Sequence, residues 1–318
     1  MKIILANPRG FCAGVNMAIN VVDEALKKIG PPIYVYHEIV HNRHVVDDFK
    51  SRGVTFIESV EEVPQGGVVI FSAHGVSPAV RDAAKARQLR EVDATCPLVT
   101  KVHNEVLRFA RDGYKIIFVG HRNHDEAVGT VGEAPDAITV VESVEEVQAL
   151  QLPVTEKIAY VTQTTLSLHD AKRVIDALKL KYPAIRPPPK EDICYATTNR
   201  QNAVSQFAGE VELVLVVGSQ NSSNSKRLVE TAEAQGIRAF LIDDQSELNE
   251  QWFISAKGGV VGSVLVTAGA SAPEHLVADL VDRLQREYGG RIETRTLVEE
   301  DVTFAPPKSL RALSVLAN

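Results

Sequence analysis

Three cysteines, Cys12, Cys96 and Cys194, are the residues of this chain best suited to unusual chemistry. No two of them form a C-x-x-C pair, which excludes a local zinc knuckle or a redox dithiol. Their odd number and wide separation argue against a disulfide framework. Each stands just ahead of a helical pattern: Cys12 before one from Ala13, Cys194 before one near Thr197–Thr198, and Cys96 before Pro97. Proline is favoured at the first helical position. A helix N-terminus favours thiolate over thiol, so three such sites would supply three anionic sulfurs. The plain alternative is three unrelated buried thiols, because free cysteine packs as a small hydrophobe.

Spacing weighs against that alternative. His41, His124 and Ser222 lie 29, 28 and 28 residues beyond the preceding cysteine, each in a polar loop after an apolar run (HEIVHNRH, GHRNHDE, GSQNSSN). A second polar loop follows a later apolar run in each third, at His74, Thr164 and Ser271. Those lie 62, 68 and 77 residues past the cysteine, a looser match. The chain therefore reads as three copies of one plan, which has to be recognised before a fold is assigned.

The elements that must position these residues alternate between strands and helices. Strands are expected at 3–6, 33–36, 68–71, 116–119, 158–161, 213–217, 239–242 and 264–267. Helices are expected at 13–29, 79–90, 98–111, 169–180, 198–209 and 225–235. This is an α/β fold with mostly parallel sheets. The expected division is 1–96 with Cys12, 97–193 preceded by Cys96, 194–290 with Cys194, and a tail over 291–318 packing back on the body. Ligands of open parallel sheets bind at the carboxyl ends of strands, where all six polar loops fall. Three domains about a pseudo-threefold axis would bring loops and cysteines to one central cavity.

Three thiolates around a point form a soft ligand set, suited to iron–sulfur or zinc. Structural zinc takes four protein ligands, so a histidine would have to replace the missing cysteine. A four-iron cluster on three cysteines leaves one iron open, able to act as a Lewis acid and to pass electrons. His41, His74 and His124, with Ser222, Ser223, Asn224 and Ser271 beside helix starts, suit a phosphate or diphosphate. Glu126, two residues after His124, is the candidate proton source, since a carboxyl in a closed site stays protonated near neutrality. Each has an ordinary reading too: His74 as a turn residue, Ser222-Ser223-Asn224 as a helix cap, Glu126 as a solvated charge.

Composition narrows the classes. The net charge of −7 and the lack of a basic block argue against nucleic acid as a partner. No apolar run is long enough to span a membrane. The opening Met1–Pro8 is too short for a secretory signal and reads as a first strand, so the cytoplasm is the expected location.

RGFCAGV, VHNRHVV, FSAHGVSP, DATCPLVTKVH, GHRNHDE, TQTTLS, ICYATTNRQ, GSQNSSNSKRL and TAGASAP together resemble the 4-hydroxy-3-methylbut-2-enyl diphosphate reductases. These are the last enzymes of the methylerythritol phosphate route to isoprenoids. The resemblance runs from Met1 to about Leu310 and includes EEDVTFAPPKSL. It implies three α/β domains around a 4Fe-4S cluster on Cys12, Cys96 and Cys194, with the substrate hydroxyl on the open iron. It implies a diphosphate held by His41, His74, His124, Ser222, Ser223, Asn224 and Ser271. Thr164 and Glu126 would sit at the hydroxyl end, with Glu126 feeding protons. Ferredoxin or flavodoxin would deliver two electrons, and isopentenyl and dimethylallyl diphosphates would leave with water. The chain departs from the family pattern at Asp125, where proline is usual. That carboxylate is expected either to raise the Glu126 pKa or to face solvent. The approach to TAGAS, SAKGGVVGSVL, is also longer than usual, which bears on the placing of Ser271. Two other functions compete: a hydro-lyase on the same cluster, which consumes no electrons, and a metal-dependent sensor, which would need a recognition surface that the sequence lacks.

Overall fold

The computed structural model describes residues 1–153, 156–256 and 258–313. The last five residues of the expected tail, and Lys257 in the approach to TAGAS, lie outside the described residues. The chain opens with β1 (Lys2–Asn7), and Cys12 leads directly into α1 (Ala13–Ile29). There follow β2 (Ile33–Tyr36), α2 (Arg43–Ser51), β3 (Val54–Ile57), β4 (Val68–Phe71), α3 (Pro78–Ala86) and β5 (Arg90–Asp93). Cys96 then leads into α4 (Pro97–Arg111), followed by β6 (Lys115–Val119), α5 (Asp125–Glu133) and β7 (Ile138–Val141). Next come α6 (Val144–Ala149), β8 (Ile158–Thr162) and α7 (Leu168–Lys181), and Cys194 leads into α8 (Tyr195–Phe207). The remaining elements are β9 (Leu213–Val217), α9 (Ser223–Glu233), β10 (Arg238–Ile242), β11 (Ser263–Ala268), α10 (Glu274–Tyr288), β12 (Arg291–Thr296) and α11 (Lys308–Ala312).

The strands form three sheets, ordered β3-β2-β4-β5, β7-β6-β8 and β10-β9-β11-β1-β12. Every registered pairing between these strands is parallel. The order is one pattern used three times. The strand entering each segment (β2, β6, β9) stands between the next strand (β3, β7, β10) and the one after (β4, β8, β11). A fourth place beside β4, β8 and β11 is taken by β5, by an isolated parallel bridge from Arg186 to Ala159, and by β1. From each fourth place the chain runs on to a cysteine.

The sheet membership of β1 departs from the grouping by sequence order, which put it with Cys12 in the first segment. It pairs instead with β11 and β12 in the sheet of the last segment. The reason is burial on both faces: Ile3, Ile4 and Ala6 are wholly inaccessible, which requires hydrogen-bonded neighbours on both sides. One helix is shorter than its pattern. The expected 79–90 ends at Ala86, because Gln88 turns left-handed at φ 56° and Arg90 already opens β5.

By contacts the chain divides into two compact units. One holds Met1–Cys12, His41–Val45 and Tyr195–Val302, with the five-stranded sheet. Its strands send alternate residues to opposite faces, as the pleat requires. Ile3, Leu213, Leu215, Val264 and Val266 pack with Leu276, Leu280 and Leu284 of α10. Ile4, Val214, Val216 and Leu265 pack with Val204 and Phe207 of α8 and Leu228 of α9. The other unit holds Ala13–Val40, Val46–Cys194 and the tail from Thr303, with the two smaller sheets. There Ile116, Phe118, Ala159 and Val161 meet Val102, Val106 and Phe109 of α4. Ile117, Val119, Ile158 and Tyr160 meet Val174 and Leu178 of α7. No helix among the described residues is long and apolar enough to cross a membrane.

Candidate active site

The three cysteines are not disulfide-bonded, and none is fully buried; each is partly exposed. Each immediately precedes a helix, as its sequence pattern required. Their backbones are held by one repeated hydrogen bond. Cys12 N–H donates to Ala270 O at 3.2 Å, Cys96 N–H to Ala73 O at 3.0 Å, and Cys194 N–H to Thr164 O at 3.0 Å. The acceptors are the second polar loops of the repeat, TAGAS, SAHG and TQTT. Each cysteine is thus tied to the loop leaving the strand beside it, a regularity that independent core thiols would not share.

Cys96, Cys194, His74, His124, Glu126 and Thr164 belong to one unit. His124 is the N-cap of α5, its Nδ1 accepting the Glu126 N–H at 3.1 Å. Glu126 in that first turn is 2% exposed, which removes the solvated reading. Thr164 N–H donates to Glu126 Oε1 at 2.7 Å, and Thr164 Oγ1 stands 2.8 Å from Oε2. Thr164 therefore joins the carboxyl to Cys194 through a single residue. Burial pushes the Glu126 pKa up to about 7; the Thr164 hydrogen bonds work against this and the charge of Asp192 adds to it. Asp125 does not simply face water: its Oδ1 lies 2.9 Å from His37 Nδ1. The His74 and His124 rings meet edge-on, their centroids 5.8 Å apart. His74 Nδ1 stands 3.3 Å from Ser72 Oγ. Gly75 follows at φ 80°, a conformation that glycine adopts without strain, and a Cβ there would come within 3.2 Å of His103.

Cys12, His41, Ser222, Ser223, Asn224 and Ser271 belong to the other unit. Ser222 is the N-cap of α9, accepting the Ser225 N–H at 3.3 Å, so the capping reading holds for it. Its hydroxyl also accepts from Ser225 Oγ at 2.9 Å and lies 3.4 Å from Ser271 Oγ. Ser271, whose position the longer approach bore on, follows β11 at once and donates to His41 O at 2.8 Å. Ser225 fits because Gly218 and Gly269 flank it; a Cβ on either would come within 2.2 Å of its hydroxyl. Asn224 Oδ1 accepts the Ala270 N–H at 2.9 Å, and Nδ2 donates to Thr197 Oγ1 at 3.1 Å. A primary amide has two N–H groups, so this side chain can also donate to a ligand. The same side chain thus fixes the Ala270 peptide that holds Cys12.

Sequence reasoning missed the residues that steady the cysteine loops. Arg200 on α8, 1% exposed, donates to Gly10 O at 2.8 Å, to Ala196 O at 3.0 Å and to the Glu300 carboxylate at 3.1 Å. It fixes the loop that carries Cys12. Asp192, two residues before Cys194, accepts Thr162 N–H at 2.9 Å and Lys101 Nζ at 2.8 Å. Nothing in the spacing marks these partners, most of which lie 30 to 190 residues away along the chain.

Known proteins place this architecture. The family model of the LytB protein matches residues 3–285. A 4-hydroxy-3-methylbut-2-enyl diphosphate reductase of Rhodopirellula baltica is 53% identical over 99% of this chain and 97% of its own length. The enzyme of the same name from Azotobacter vinelandii is 54% identical over 99% of each chain. The solved E-1-hydroxy-2-methyl-but-2-enyl-4-diphosphate reductase of Plasmodium falciparum superimposes with a TM-score of 0.94 at 41% identity, over 98% of this chain and 97% of that one. Matched along its length by the family model, by these relatives and by that fold, the chain belongs to the LytB family.

Proposed function

We propose that the chain is a reductase that removes the hydroxyl group from 4-hydroxy-3-methylbut-2-enyl diphosphate. The observation that carries the chemistry is the sealed Glu126–Thr164 pair. Its pKa of about 7 leaves the carboxyl able both to give and to regain a proton at neutral pH. Thr164 N–H can only donate, so it fixes Oε1; the contact between Oε2 and Oγ1 can carry its hydrogen in either direction. Thr164 Oγ1 is then the exit through which the Glu126 proton reaches the substrate's hydroxyl end. Two electrons and two protons are consumed overall. The C–O bond breaks, the hydroxyl leaves as water, and the allyl fragment is protonated to isopentenyl or dimethylallyl diphosphate.

Cys12, Cys96 and Cys194 would hold a 4Fe-4S cluster. The donor set fits: three partly exposed cysteines outside any disulfide, each at the start of a helix and each fixed by the same backbone hydrogen bond. When bound, the cluster supplies the electrons and an open iron for the substrate oxygen. His41, His74, His124, Ser222, Ser223, Asn224 and Ser271 form the diphosphate subsite, with imidazoles for charge and hydroxyl and amide groups for direction. Ferredoxin or flavodoxin, in the cytoplasm, is the proposed electron source.

Anaerobic turnover tests the reading. Reconstituted protein should oxidise a reduced one-electron dye only when the hydroxylated diphosphate is added, and release the two five-carbon diphosphates. A preparation with full iron and sulfide that oxidises no dye would leave a redox-neutral hydro-lyase as the function.

A further inference from the structure

His103 is a buried imidazole that the proton relay does not use. It lies on α4, the helix that Cys96 leads into, and is 4% exposed. Its Nδ1 donates to Glu133 Oε1 at 2.8 Å. Glu133 is the last residue of α5, whose first turn holds Glu126 and whose cap is His124. The side chains of His103 and Glu133 are 6% and 10% exposed, so the pair is closed to water. Among the described residues, His103 Nε2 is buried with no hydrogen-bond partner. That edge of the ring lies against the SAHG loop: a Cβ on Gly75 would come within 3.2 Å of His103 Cε1 and 3.4 Å of Nε2. Gly75 also meets α5, where a Cβ on Gly129 would come within 3.2 Å of Gly75 O. Gly75 is therefore packed against both the imidazole and the helix that carries Glu126.

These contacts divide the work of the ring between its two edges. The Glu133 carboxylate accepts from Nδ1, and this bond fixes how the ring is turned. The opposite edge makes no hydrogen bond, so it acts on Gly75 by volume alone. Protein interiors are close-packed, and a group packed this tightly sets the height of the backbone it touches. A void in its place would let that backbone settle. Gly75 directly follows His74, whose ring meets His124 edge-on with centroids 5.8 Å apart. A shift of Gly75 therefore changes the aim of His74 relative to His124.

We propose that His103 is a positioning residue for the substrate's diphosphate: its ring, turned by Glu133, props Gly75 and so aims His74. The proposal rests on the reading of His74 as a diphosphate ligand. Two variants part the ring from its hydrogen bond. His103→Asn keeps an N–H near the Nδ1 position and loses the edge under Gly75. His103→Phe combined with Glu133→Leu loses the polar pair but keeps a ring under Gly75, and leaves no carboxylate buried alone. KM and kcat of the reconstituted proteins are measured per bound iron, and the Kd of inorganic diphosphate is measured by calorimetry. His103→Asn should raise KM about three- to tenfold, part of the tenfold or more that losing a hydrogen bond to a charged group costs, with kcat within about twofold. The Kd of inorganic diphosphate should rise by the same factor. The double variant should keep KM within about twofold of native, because the volume under Gly75 is retained. An unchanged KM in His103→Asn, a fall in kcat alone, or a raised KM with unchanged diphosphate Kd overturns the proposal. So does an equal rise of KM in both variants. His74→Asn separates the two readings: unchanged KM there would overturn the diphosphate subsite itself, whereas raised KM there beside native KM in His103→Asn would overturn only the role of His103.

Discussion

At the residue scale, Glu126 carries a functional group at a cost in stability. Its pKa of about 7 lies well above the ordinary 4.5, because burial disfavours the carboxylate. A carboxyl raised in the folded state costs nothing below 4.5. The cost grows as pH rises through about 7 and then levels off near 3 kcal/mol. Glu126→Gln keeps the shape, and its amide can accept from Thr164 N–H and donate to Thr164 Oγ1. The variant should match native stability at pH 4.5 and exceed it by about 3 kcal/mol at pH 8, measured by urea unfolding of cluster-free protein. Turnover should fall about 10²- to 10⁴-fold, the usual range for losing a general acid, with KM within about threefold. Normal turnover would remove the proton-donor role.

At the scale of elements, the loops that leave β4, β8 and β11 each hold the N–H of a cysteine. The TAGAS loop depends on Asn224, so two substitutions there should part. Asn224→Leu leaves the Ala270 N–H without its acceptor, costing about 1–3 kcal/mol, and should lower bound iron. Asn224→Asp keeps that acceptor and should retain iron while raising KM, because a charge replaces an amide donor. Equal iron loss in both would mean that Asn224 does not steady Cys12. The helices behind this arrangement were legible in sequence, their starts less evenly: α1 begins at Ala13 as expected, α4 at Pro97, one residue before the expected 98, and α8 at Tyr195, three residues before the expected 198. The strand ends were legible for the same reason, because fully buried parallel strands such as Leu213–Val217 read as unbroken apolar runs. The exposed edge strand Arg291–Thr296 was not, since a sequence of alternating charges carries no such signal.

At the scale of the whole molecule, the cysteines should act as one set. Serine at any one of the three should remove iron and activity together while leaving the apo fold intact, because none of them belongs to a core. A variant that kept its iron would remove that cysteine from the ligand set. Arg200 should behave in the opposite way. Arg200→Met strands the 14%-exposed Glu300 and frees Gly10 O, and should cost about 3–5 kcal/mol in unfolding. The double variant with Glu300→Met should regain much of that loss, because no charge is then left buried alone.

The sequence by itself determined the α/β class and the repeated plan, and pointed to the residues proposed for the site, because burial, helix starts and polar loops are written in local patterns. It also marked Glu126, two residues after His124, as the proposed proton source. Tertiary structure decided which partners those residues have. It moved β1 into the sheet of the last segment, since a strand buried on both faces takes whichever neighbours complete it. It turned Asp125 toward His37, and it brought Arg200 to Gly10 and Glu300. Such contacts join residues far apart in the chain, where neither period nor spacing leaves a trace.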